Sequence, residues 1–186
     1  MFGSNRALRI LLVTNALVLV AGAMLAPIYA LFVDKIGGDL FDAGLTGGVF
    51  ALAAGITTLI AGRFADKIRE NELIVVLGYV IMGVGFLLLT KVGSILSLFL
   101  VQALIGFAEA VYAPAFDALY SRHLDRRHAG REWGLWEAIH YFAITIGAIV
   151  GGFIATKFGF QILFVIMSVL SFISALYIYF LPRKVL

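Results

Sequence analysis
Glu109 stands near the middle of the long apolar run 94–119. Holding a charge at the centre of a bilayer costs about 2.5–3.5 kcal/mol on insertion scales, so a retained carboxyl there marks a pathway or a partner. A carboxyl in that medium can take up and release a proton. The alternative is a hydrogen-bonded structural glutamate. A second group follows at helical spacing. Glu137, His140 and Tyr141 stand at i, i+3 and i+4, which puts them on one helix face. An imidazole titrates near neutral pH, so this carboxylate and imidazole can relay a proton or bind a solute. They can equally seal one end of a helix bundle. One histidine is too few for a metal site, and no metal or other cofactor is expected.

The elements that must carry these residues are transmembrane helices. Hydrophobic residues make up 62% of the 186-residue chain, against roughly 45–50% in a soluble domain. About 20 apolar residues cross the hydrocarbon layer. Six runs qualify, at about 8–33, 43–63, 73–90, 94–119, 133–156 and 159–181. None alternates in polarity as a barrel strand would, so the expected fold class is an all-α membrane protein of six helices. The connections are too short for a soluble domain, so residues 1–186 read as one unit in a lipid bilayer. The first run is too long for a signal peptide and is followed by five more.

Charge placement orients the spans. With the N-terminus inside, only Lys35, Lys91 and Lys157 of the 14 Lys and Arg residues lie outside. This positive-inside bias puts both termini in the cytoplasm, in an inner or plasma membrane. The same distribution argues against nucleic acid as a partner. The absence of cysteine excludes thiol chemistry.

A faint repeat divides the chain at about 8–90 and 94–181. Gly62, Ala65 and Lys67 recur as Gly152, Ala155 and Lys157, while Asn15 and Pro27 align with Gln102 and Pro114. Three spans per copy is odd, so the second copy is inverted across the membrane, a transporter arrangement. The third and sixth spans are apolar all round and suit a lipid-facing periphery. The second and fifth carry small-residue ladders: Gly47, Ala51 and Gly55, then Ala143, Gly147 and Gly151. Such ladders let helices approach closely, either within one chain or between two.

In this order and spacing the chain resembles the six-helix half of the major facilitator superfamily, most like its N-terminal half. Gly62, Asp66 and Lys67 match the family's loop motif after the second helix, while Arg69, Glu70 and Asn71 depart from it. The run from Arg127 to Leu135 looks like the basic loop entering the fifth helix. Gly147-Ala148-Ile149-Val150-Gly151-Gly152 is similar to the antiporter motif, with Ala148 in place of its proline. Gln102 sits where proton-coupled members carry arginine.

The resemblance implies that the first and fourth helices line a central cavity and that the second and fifth meet the opposite half. Asn15 and Gln102 would then face the cavity, to bind a solute or to bridge helices, with Tyr112, Tyr120 and Trp136 beside them. Trp133 and the Tyr177–Tyr179 pair suit the membrane interface. Pro27 and Pro114 would kink the cavity helices. The resemblance also implies a cytoplasmic latch, with Gly62, Arg63, Asp66, Lys67 and Arg69 meeting Asp117. An arginine fork can hold two carboxylates.

The leading expectation is a secondary transporter of a small solute, working by alternating access as a homodimer of such halves and open to proton coupling. The ladder residues would form its seam. The alternatives are the N-terminal half of a twelve-helix transporter and a non-transporting scaffold. No channel filter motif and no nucleophile–base pair is visible, so neither a channel nor an enzyme is expected.

Overall fold
The computed structural model describes residues 6–65, 70–125 and 127–181. Every regular element among them is helical. Helix α1 (Arg6–Leu25) leads through a 3-10 turn (Ala26–Ile28) into α2 (Tyr29–Lys35). Then come α3 (Leu40–Ala65), α4 (Asn71–Leu89), α5 (Ile95–His123) and α6 (Ala129–Tyr179). Five helical stretches are long and apolar enough to cross a membrane, counting α1 with α2 as one.

Local chemistry explains the boundaries. Pro27 lacks an N–H and breaks the first stretch, as its position led one to expect. Pro114 does not break α5, which runs through it. At the start of α3, the Asp42 N–H donates to Asp39 Oδ1 at 2.9 Å and the Asp39 N–H to Asp42 Oδ2 at 3.1 Å. Ser94 and Ser97 form a reciprocal cap at the start of α5. These caps satisfy amides that the first helical turn leaves without partners.

The last element holds both of the expected runs 133–156 and 159–181, joined end to end. Its 51 residues form one assigned stretch with no loop, far longer than one crossing needs. Helical geometry nevertheless fails at Gly159, with φ 81° and ψ 171°. That region is open only to glycine, so one residue does what a loop was expected to do. The arm before Gly159 follows α1, with Gly147 against Val20 and Ala23 and Gly151 against Met24. The arm after it runs back along α4. Gln161 Nε2 donates to the Thr90 carbonyl at 2.9 Å, and Ser168 Oγ donates to the Gly83 carbonyl at 2.8 Å.

The remaining helices pack through glycines. Gly106 of α5 meets the backbone at Phe50 and Ala54, and Gly38 meets Ile95, so α3 and α5 run parallel. Gly78 and Gly85 of α4 meet Tyr112 and Ile105 of α5, so that pair is antiparallel. The buried core includes Tyr79, Phe116, Tyr120, Phe164 and Met167. Leu77, Val80 and Val84 of α4 and Val165, Val169 and Ile173 of α6 point outward, as a peripheral pair in lipid would.

Candidate functional site
A cavity of about 460 Å³ is lined by residues of α1, α3, α4, α5 and α6, with Ala26 and Tyr29 from the turn and α2. It has the size of a small-molecule site. Helix α5 gives it a polar stripe: Gln102, Glu109 and Tyr112 line the wall, with Ile105 between them. The spacing keeps these side chains on one face, because three or four residues make one turn. Also in the lining are Val18 and Gly22 of α1, Ala26 of the 3-10 turn, and Gly47 and Phe50 of α3. Glu109 is the one carboxylate among the lining residues, beside the phenols of Tyr29 and Tyr112.

Gln102 is 8% exposed, and its amide has no hydrogen-bond partner among the described residues. Glu109 is half-buried and likewise makes no hydrogen bond within them. Its neighbour across the α5–α6 contact is His140, with which it interacts electrostatically. An amide that a bound solute cuts off from water without replacing its hydrogen bond costs about 1–3 kcal/mol, so Gln102 is a group that a ligand with a polar end would satisfy.

Below Glu109 an aromatic series runs toward the α5–α6 connection. Phe116 stacks on Tyr120 at 5.9 Å, Tyr120 meets Trp133 at 5.1 Å, and Trp133 meets Trp136 at 5.9 Å. Trp136 stacks on His140 at 5.6 Å. The Trp136 Nε1 and His140 Nδ1 atoms are both shielded from solvent without a partner among the described residues. Tyr120 and Trp136 therefore belong to this packed layer and do not line the cavity. The connection itself is braced. Tyr120 Oη donates to the Glu132 carbonyl at 2.7 Å, and the Asp125 N–H donates to Glu132 Oε2 at 3.0 Å. Outside the spans, a hydrogen bond from His128 and one from the Arg127 N–H hold the Asp125 carboxyl below its ordinary range.

Several expected site residues fall elsewhere. Asn15 does not line the cavity: its Oδ1 accepts from Tyr79 Oη at 3.1 Å, a buried bridge from α1 to α4. The helix-bridging alternative for Asn15 is the one observed. Of the face at 137, 140 and 141, only His140 is half-buried, while Glu137 and Tyr141 are exposed. Ala143, Gly147 and Gly151 are buried, and the two glycines press on α1 of the same chain. Their small size serves contact within the chain, so these three leave the expected seam between chains. On α3, by contrast, Ala51 and Gly55 are exposed and Gly47 lines the cavity. In the expected latch, Asp66, Lys67 and Arg69 lie outside the described residues. Arg63 and Asp117 are exposed near matching ends of the parallel α3 and α5, and Gly62 has open space beside it.

Sequence reading missed two wall features. Tyr29 lines the cavity and its Oη donates to Thr46 Oγ1 at 2.6 Å, tying α2 to α3 across one end. The signal was Pro27, which breaks the helix just before Tyr29. Gly22 was also missed, because it stands outside any ladder.

The chain is similar in sequence to known proteins. The family model for the Major Facilitator Superfamily matches residues 11–185. An MFS-type transporter of Bacillus subtilis, YitZ, is 28% identical over 159 residues, covering 84% of this chain and 94% of that protein. The multidrug resistance protein MdtG of Yersinia enterocolitica is 24% identical over 181 residues, covering 94% of this chain and 43% of MdtG. An MFS-type transporter of Methanocaldococcus jannaschii, MJ1317, is 26% identical over 167 residues and is covered over 41% of its length. The chain thus spans less than half of MdtG and MJ1317 and nearly all of YitZ.

Proposed function
The chain belongs to the major facilitator superfamily, and from that premise we propose that it is a secondary transporter whose cavity carries a small amphipathic solute by alternating access. The observation that carries this reading is the 460 Å³ cavity with one carboxylate, Glu109, in a mainly apolar wall that also holds the Gln102 amide and the Tyr29 and Tyr112 phenols. A carboxyl in such a wall favours a solute bearing a cationic group. Its electrostatic contact with His140 supports proton coupling through the pair. MdtG is named for multidrug resistance, which fits an apolar cavity of this kind.

In this reading α6 is two spans turned at Gly159, which makes six spans in two inverted repeats. Both termini lie in the cytoplasm, in keeping with the bias of Lys and Arg. Two copies related by an axis along the membrane normal complete the twelve-helix assembly. The exposed faces suited to the seam are Ala51, Leu52, Gly55 and Ile56 on α3 and Phe142, Ile146, Ile149 and Phe153 on α6. The near-complete cover of YitZ favours a working unit of this size. The partial cover of MdtG favours the second reading, in which the opposite half belongs to the same longer protein.

Single cysteines in this cysteine-free chain test the arrangement. Lys157→Cys is expected to react with an impermeant thiol reagent from outside the cell. Gly55→Cys and Ile149→Cys, on separate copies, are expected to cross-link between chains. Labelling of position 157 from the cytoplasm contradicts the six-span path. Cross-links found at no protein density contradict the homodimer.

A further inference from the structure
Along the α5 wall of the cavity, Gln102 and Glu109 stand apart with the apolar Ile105 between them, and Tyr112 follows one turn beyond Glu109. Gln102 and Glu109 are seven positions apart on α5, two turns, or about 10 Å along the axis. Neither has a hydrogen-bond partner among the described residues, and Gln102 is 8% exposed, with its amide open to the cavity that it lines. Both line the same cavity. Gly22 on α1 and Gly47 on α3 line the same cavity, and a Cβ added to either would touch nothing within 4 Å. The space beside these glycines is therefore part of the cavity and not a helix contact.

We propose that this is a two-point binding site for an elongated organic monocation. Its cationic nitrogen sits at Glu109, its far end carries a hydrogen-bonding group that reaches Gln102, and its apolar middle lies in the gap beside Gly22 and Gly47. The inference rests on the proposed function above and adds the length and the second polar group of the solute. The physical reason is the cost of the orphan amide. A solute with an apolar far end leaves Gln102 unsatisfied in the bound state, whereas one with a hydroxyl or carbonyl there relieves it. Leucine or glutamate at position 102 fits the same volume but changes what the far end must carry.

The test is calorimetric titration of the protein in lipid nanodiscs with two monocations of matched length, (hydroxyoctyl)trimethylammonium and nonyltrimethylammonium. The parent is expected to prefer the hydroxylated probe by about fivefold, the scale of one added hydrogen bond. Gln102→Leu is expected to bind the two probes equally. Gln102→Glu is expected to bind the decamethylene bis-trimethylammonium dication more tightly than the parent does. The proposal is overturned if Gln102→Leu keeps the parent's preference or if Gln102→Glu gains nothing for the dication. Should the parent bind neither monocation, it is the cationic-solute reading itself that fails, and this inference falls with it.

Discussion

Glu109→Gln is expected to abolish proton-driven accumulation of solute while leaving exchange of solute for solute slowed but measurable. The substitution keeps the shape and most of the hydrogen-bonding capacity but fixes the group in a neutral state. If Glu109 is where a proton is exchanged for a solute cation, net transport loses its coupling and exchange does not depend on that step. The position supports the role. Glu109 is the carboxylate of the cavity wall, on the helix that supplies its polar stripe, and it interacts electrostatically with His140 of α6. The check is a pair of assays in proteoliposomes, one with an imposed pH gradient and one with solute on both sides. Parental accumulation by the variant makes Glu109 structural.

Gly151→Leu is expected to have the largest effect on folding. A Cβ at Gly151 would run into the backbone of Met24, and backbone cannot yield as a flexible side chain can. Overpacking of this kind costs about 1–3 kcal/mol or more. Here it also forces α1 away from α6, and α1 forms one wall of the cavity. The neighbouring Gly152 has nothing within 4 Å of an added Cβ. Gly152→Leu is therefore expected to leave thermal unfolding near the parent value, while Gly151→Leu lowers it by roughly 5 °C or loses folded protein altogether. Equal behaviour of the two variants would contradict the tight α1–α6 contact.

That pair of glycines also illustrates what the sequence could and could not convey. The all-helical membrane class was legible because the bilayer imposes one period and one length on every span, and Pro27 was legible as a break because proline removes an N–H. The ladder at Ala143, Gly147 and Gly151 was legible as a close contact but not as to its partner. Small residues report distance, and distance is the same whether the other helix belongs to this chain or to another. The division between the runs 133–156 and 159–181 was legible too, at Lys157, while the φ of Gly159 shows that a single residue makes it.

Within the site, Glu109 stood out because a charge in an apolar span is costly, and Gln102 through its place in the repeat. Asn15 was misjudged as a cavity residue. Its repeat partner Gln102 does line the cavity, but Tyr79 on α4 meets Asn15 first, and nothing in a linear sequence brings positions 64 apart into view. Tyr29 was missed for the same reason, since its bond to Thr46 depends on how α2 leaves the 3-10 turn.

The measurement that bears most directly on the central claim is movement of an organic cation by the protein itself. The purified chain is reconstituted into liposomes, and entry or exit of ethidium, a flat monocation, is followed with and without a proton gradient. The account predicts flux above that of protein-free vesicles, saturable in ethidium and changed in rate by the gradient. Flux equal to that of empty vesicles under every gradient would contradict transport and leave a non-transporting membrane subunit as the reading of this fold.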